Sequence, residues 1–460
     1  MQPITETKRN SQRASLSILS CGHSRYIITA INEVITTFRA AGVSIDHMGI
    51  SPDKWYNPLS MKSSAAYRYF NYQHLLLPRV SNRTTDYWST PRIDLELKQA
   101  LPSIVAFMED LLADFKPDVF LIADDWGLIE VFILEYLNWK KIPVVFMEHG
   151  PAVFNAAFSG DNLTLERFPQ DWENRKYHLP GLKPSGLNAD YLICSYSLPT
   201  KLMMVKLGVD PAKIRDTGFP YLDTLYREKH KYSPPRNADP KRILIVSNGM
   251  GTFGGYFSEN SASRSRIFIQ LIEVLQAEGY HVALRLKPGE EIEALLDPGL
   301  LQRLRETRVT YDDNTVDSFI AIQNYDLVIG ELSTVLLESL ILGIPVVMMT
   351  PAYGALERTQ AHKRHFLQKV IGVLTLSGAT EFSPVIKQAF SESYLKQCRA
   401  KLQQHQDYYY KIDGRTGERV ASAIIEAVVT NLTAQQQLDE VEGFRAVSYT
   451  HLTLPTIYSV

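Results

Sequence analysis

Apolar and polar positions along this chain follow two alternating rhythms. Short runs of Val, Ile, Leu and Phe read as buried strands, and the segments between them repeat apolar residues at helical spacing. Leu16 to Cys21, Val43 to Met48, Asp118 to Ala123, Ile142 to Met147 and Ala189 to Ser195 have the strand pattern. Tyr26 to Ala41, Asp94 to Phe115, Leu128 to Trp139 and Pro199 to Leu207 have the helical one. The stretch from Trp55 to Arg92 is rich in Tyr, Asn and Ser and weakly periodic. It reads as an irregular insertion, either a surface loop or a wall of an acceptor site.

The rhythm stops at Tyr232 to Pro240, where three prolines among polar residues make a linker. It restarts with strands at Arg242 to Ser247, Val282 to Leu286, Val309 to Tyr311, Leu327 to Ile329 and Pro345 to Met349. Helices are expected at Ile267 to Glu278, Leu300 to Glu306, Thr334 to Leu342, Tyr394 to Tyr408 and Gly417 to Leu432. Strands alternating with helices predict an α/β protein with parallel sheets. The expected organisation is a first α/β half over residues 1–231, a hinge at 232–240, a second half over 241–432 and a polar tail at 433–446. Residues 447–460 are expected to be an assembly scar, because Val447 to Leu452 reads as a translated transposase mosaic end of the kind used in sequencing libraries.

Composition narrows the function classes. At 460 residues the chain exceeds the ~250–300 at which a single core stops growing. Its 48 Lys and Arg against 50 Asp and Glu give a net charge of -2, which lacks the cationic field of a general nucleic-acid binder. Three scattered cysteines, Cys21, Cys194 and Cys398, show neither disulfide nor metal spacing and fit a reducing cytoplasm. No signal peptide and no apolar run of about 20 residues is visible. Lys363-Arg364-His365 is a basic triplet for phosphate or an anionic membrane surface, or merely a solvated one.

The stretch from Asn324 to Val347 carries the most chemistry. Gly330 ends a strand where the backbone must turn, and Ser333 or Thr334 can cap the next helix. Free N–H groups there favour an anion such as a pyrophosphate. Glu338 lies one turn along the same face, placed to accept hydrogen bonds from ribose hydroxyls. A plain strand-helix-strand unit with a routine cap would show the same residues. Arg285 and Lys287 alternate on one strand face, either as cations for a diphosphate or as a solvent-facing pair. Gly249 and Gly251 lie in a Gly-rich turn that lets backbone approach phosphate or serves only as a flexible connection.

This set resembles the C-terminal nucleotide-binding half of the GT-B superfamily. That superfamily includes nucleotide-sugar glycosyltransferases, non-hydrolysing UDP-N-acetylglucosamine 2-epimerases and CDP-glycerol glycerophosphotransferases. The resemblance rests on Asp326, Gly330, Ser333, Thr334, Glu338, Gly343, Pro345 and Val346, with Ser339 in place of the usual Ala. Three further pieces stand in the expected order: Leu207 to Asp223, Arg285 to Pro288, and Asp413 to Val420. Where epimerases and glycerophosphotransferases often have His, this chain has Lys287. The resemblance implies two Rossmann-like domains with parallel sheets facing across a cleft.

It also implies a nucleotide-sugar donor and a saccharide or lipid-linked acceptor, with no cofactor and no metal. The activity implied is glycosyl transfer in bacterial surface-polysaccharide synthesis, with 2-epimerisation, polyol-phosphate transfer or a non-catalytic binding scaffold as alternatives. The protein is expected in the cytoplasm, with peripheral contact at the inner face of the membrane and no nucleic-acid partner. His149 is the favoured general base, since imidazole titrates near neutrality, and is otherwise readable as a turn histidine satisfied by backbone. Glu148 would orient it or act as base itself. Asp124 is a second carboxylate candidate, equally readable as a helix cap. Gly22 and His23 would line the acceptor side.

Overall fold

The computed structural model describes residues 15–22, 25–52, 67–70, 91–123, 128–149, 156–159, 162–165, 191–206, 209–229, 241–247, 261–286, 298–312, 316–330, 333–349, 367, 371–376, 381–409 and 411–434. The first half contains β1 (Ser15–Cys21), α1 (Arg25–Ala40), β2 (Ser44–Pro52), β3 (Tyr67–Phe70), α2 (Pro91–Asp114), β4 (Val119–Ile122), α3 (Leu128–Trp139) and β5 (Val144–Met147). A small hairpin of β6 (Ala156–Ser159) and β7 (Asn162–Leu165) follows, then β8 (Leu192–Ser195), α4 (Leu198–Lys206), β9 (Ile214–Asp216) and α5 (Tyr221–Lys229). Seven of these strands form one parallel sheet in the order β3-β2-β1-β4-β5-β8-β9.

The second half contains β10 (Arg242–Val246), α6 (Ser261–Ala277), β11 (His281–Arg285), α7 (Pro298–Glu306), β12 (Thr310–Asp312), the single turn α8 (Ser318–Ala321), β13 (Leu327–Gly330), α9 (Thr334–Leu342), β14 (Val346–Met349) and β15 (Leu374–Leu376). Its six strands are ordered β12-β11-β10-β13-β14-β15, again all parallel. The helices α10 (Phe382–Ala389), α11 (Glu392–Tyr409) and α12 (Thr416–Ala434) close the described chain.

Parallel sheets are covered on both faces, so their strands are apolar on successive residues. The strands β4 and β5 are buried at every position. From β1, Leu16 and Ile18 enter one core, and Leu19 and Cys21 enter another across the sheet. The second core includes Ile104, Met108 and Leu111, spaced along one face of α2. The first core runs on without a break into the second half, with Leu244 and Val328 of its sheet and Leu336 of α9.

Although α12 begins within the 241–432 stretch, it packs on the first half, against α1, β4, β5 and β8. Two distant segments lock it there. Asp223, at the start of α5, is buried and accepts N–H bonds from Thr416 (3.1 Å) and Gly417 (2.7 Å) at the head of α12. Arg419 Nε donates to the Thr217 carbonyl at 2.7 Å while its two terminal nitrogens clasp Asp413. Lys411 pairs with Asp216 at 3.1 Å. Gly218 holds φ +79°, and a Cβ there would meet Thr416 Cγ2 at 2.6 Å, so only glycine fits this crossing. The two sequence pieces around Asp223 and Asp413 thus form one hydrogen-bonded joint.

Candidate functional site

In both sheets the winding reverses next to the first strand: between β1 and β4, and between β10 and β13. Ligands of open parallel sheets sit at the carboxyl edge beside such a reversal. Gly22 follows β1 at that edge, buried, with its N–H on the Ile50 carbonyl at 3.2 Å. A Cβ there would come within 3.1 Å of Ile28, so the glycine lets α1 begin close to the strand end. His23 and Asp124, expected beside it, lie outside the described residues.

Glu148 and His149 follow β5. The Glu148 carboxylate is buried and accepts the Tyr196 N–H at 2.7 Å, while its own N–H bonds the Cys194 carbonyl at 3.0 Å. It ties the ends of β5 and β8 together. His149 is half-buried, with Nδ1 at 2.6 Å from the Ala123 carbonyl at the end of β4. A carbonyl only accepts, so Nδ1 carries the proton of the neutral ring and Nε2 is the basic nitrogen. Of the three candidates for a base, Asp124 lies outside the described residues, His149 has its ring held by the Ala123 carbonyl, and Glu148 braces β5 against β8.

On the second sheet, Gly330 ends β13, where a Cβ would press to 3.0 Å from the Val246 carbonyl of β10. Ser333 is the N-cap of α9, its Oγ accepting from Val335 N at 3.3 Å. Ser333 and Thr334 are half-buried, so the first turn of α9 is within reach of a ligand. Gly343 caps the other end at φ +83°, and the Ile344 N–H returns to the Ser339 carbonyl at 2.8 Å. Ser339, the departure from the usual Ala, is absorbed by a bond from its Oγ to the Val335 carbonyl at 2.8 Å.

Glu338, one turn into α9, is only 2% exposed. Its Oε2 accepts from Ser318 Oγ at 2.6 Å, and the Tyr221 hydroxyl lies 3.5 Å from the same Ser318 oxygen. Burial pushes the Glu338 carboxyl up to about 7, opposed by the Ser318 hydrogen bond and the Arg285 charge. Arg285 is not the solvent-facing cation of a strand edge. It is 7% exposed, its Nη1 pairs with Asp312 at 2.5 Å, and its Nη2 donates to the Val316 carbonyl at 2.8 Å. Register explains the pair, since Arg285 and Asp312 are opposite one another on β11 and β12. Its partner in the expected cation pair, Lys287, and the glycines Gly249 and Gly251 lie outside the described residues.

Rings join the two groups of residues. The Tyr196 ring packs on Phe219 at 5.7 Å, Phe219 on Tyr221 at 6.4 Å, and Tyr221 on Phe319 at 5.9 Å. Tyr26, at the head of α1, sits 4.2 Å from the Tyr221 ring. A continuous run of contacts therefore leads from Glu148 to Glu338. Sequence reasoning missed Tyr221, Ser318 and Asp312. Tyr221 had a signal in its place within the Leu207-to-Asp223 piece, whereas Ser318 had none beyond a Ser after an Asp.

No family model and no curated protein matches the chain by sequence. Solved structures do. The UDP-N-acetylglucosamine 2-epimerase from Rickettsia bellii is 14% identical with a TM-score of 0.52, over 92% of this chain and 99% of its own. S. aureus MnaA, solved with UDP, is 11% identical with a TM-score of 0.54, over 89% and 96%. The UDP-GlcNAc 2-epimerase from Neisseria meningitidis, solved with UDP-GlcNAc, is 13% identical with a TM-score of 0.50, over 90% and 100%. The likeness is one of architecture and spans nearly the whole of each chain. With two parallel sheets of the same winding and a last helix that returns to the first, this chain has the GT-B fold.

Proposed function

We propose that this protein is a glycosyltransferase that moves a sugar from a nucleotide-diphosphate donor to a carbohydrate or lipid-linked acceptor in surface-polysaccharide synthesis. The observation that carries the reading is α9: a Ser333-capped first turn open to a ligand, with a buried carboxylate, Glu338, one turn along. The donor diphosphate meets the N–H groups at the head of α9 and the Lys287 ammonium, and the ribose hydroxyls donate to Glu338. Arg285 takes no part in phosphate binding, because Asp312 and Val316 hold its guanidinium. UDP and UDP-GlcNAc in the structures of two proteins of this fold support a nucleotide donor.

In this reading the acceptor enters from the first half, and His149 Nε2 takes the proton from the attacking hydroxyl. The proton on Nδ1 stays with the Ala123 carbonyl, which holds the ring in place and steadies the imidazolium that forms. Helix N–H groups and the Lys287 ammonium stabilise the departing diphosphate. No cofactor or metal enters the scheme. No described helix is long and apolar enough to cross a membrane. A cytoplasmic protein with peripheral contact at the inner membrane face fits a lipid-linked acceptor.

A second reading, non-hydrolysing 2-epimerisation of UDP-N-acetylglucosamine, is favoured by the likeness to the epimerases from Neisseria meningitidis and Rickettsia bellii. Against it stands Lys287 where epimerases often carry His. NMR of UDP-N-acetylglucosamine with the protein and no acceptor separates the two. Glycosyl transfer leaves C2 unchanged, and a manno-configured product establishes the epimerase.

A further inference from the structure

We infer that Ser318 is a positioning residue of the donor site, holding the Glu338 carboxylate in the orientation that receives the ribose, and that Arg285 fixes the segment presenting Ser318. This rests on the donor reading of Glu338 given above. A buried carboxylate stands where its hydrogen-bond donors put it. Ser318 Oγ supplies such a bond at 2.6 Å across twenty residues of sequence. Ser318 begins α8, a turn of four residues preceded by Asp317, whose side chain makes no capping bond.

Arg285 places it from outside. One terminal nitrogen holds Asp312 at the end of β12, and the other holds the Val316 carbonyl two residues before Ser318. The guanidinium thereby ties Asp312 to Val316, two residues before Ser318, whose hydroxyl reaches the Glu338 carboxylate. The Tyr221 hydroxyl, from the start of α5, lies 3.5 Å from Ser318 Oγ. Ser318 and Tyr221 both hydrogen-bond the Glu338 carboxylate, so its orientation is set from these two neighbouring segments.

The test is discrimination between two nucleotides. UDP and 2′,3′-dideoxy-UDP are titrated calorimetrically into wild type, Ser318→Ala, Ser318→Thr and Glu338→Ala, with the GDP, CDP and ADP pairs as parallel arms. Wild type should prefer the ribose form by about tenfold or more, the worth of a hydrogen bond to a charged group. Ser318→Ala should bring that preference to within about threefold, as Glu338→Ala does, and Ser318→Thr should restore it. A merely structural role lowers the melting temperature but leaves the preference unchanged. If Ser318→Ala does not fold, Ser318→Cys, with its weak thiol donor, gives the same comparison. Wild-type preference in the Ala or Cys variant overturns the inference while the donor site stands. No binding of any of these nucleotides to wild type overturns both.

Discussion

Glu338 is a carboxylate whose surroundings resist its ionisation. Burial raises it from 4.5 to about 7, and Tyr221, Arg285, Asp317 and Ser318 face it from the neighbouring elements. The folded protein therefore holds a proton that the unfolded chain has already released. The stability from this group is complete below about pH 4.5 and is lost as pH rises through about 7. Glu338→Gln removes the titration. Urea denaturation should find the variant more stable than wild type at pH 8 by roughly 1–3 kcal/mol, with little advantage near pH 5. The ribose prefers the ionised carboxylate, so nucleotide affinity should rise between pH 6 and pH 8 in wild type and stay flat in the Gln variant. His149→Ala should lower turnover by about a hundredfold or more, with donor affinity within about twofold of wild type. An unchanged rate would remove the imidazole from the proton transfer.

At the scale of elements, the joint between the two halves is the sharpest feature. Asp223 satisfies two buried N–H groups at the head of α12, and those N–H groups have no water to turn to once the carboxylate is gone. Asp223→Ala should cost about 2–4 kcal/mol, and Asp223→Asn less, by thermal or chemical denaturation. Gly218→Ala should cost about 2 kcal/mol or more, from a side chain at positive φ and its collision with Thr416. The long elements were legible because their burial pattern is local. Leu128–Trp139 and Thr334–Leu342 appear with the expected ends. The strand β9 and helix α5 were hidden by their charge, with Arg215, Asp216, Arg227 and Lys229 in short elements. The strand β15 is three residues long, too short to show a rhythm. Arg285 was read as a diphosphate cation or a solvent-facing one, because strand alternation gives the face of a residue but not the Asp312 and Val316 groups that hold it. Ser318 and Tyr221 join the site through contacts spanning 20 and 97 residues, which no local pattern records.

The whole molecule repeats one winding twice and joins the copies through a shared apolar core, an aromatic run and a returning helix. In the proposed function that arrangement would put donor and acceptor on separate sheets, whose approach would exclude water from the reaction. Each sheet offers its reversal point: Gly22 with the β4 and β5 ends on one, Gly330 with the head of α9 on the other. The account stands on the claim that the second of these grips a nucleotide through Ser333, Thr334 and Glu338. Calorimetric titration of UDP-, GDP-, CMP-, CDP- and ADP-linked sugars into wild type and Glu338→Ala tests it directly. One nucleotide class should bind wild type and lose about tenfold or more in the variant. Equal affinity in the two proteins, or no binding of any class, would contradict it.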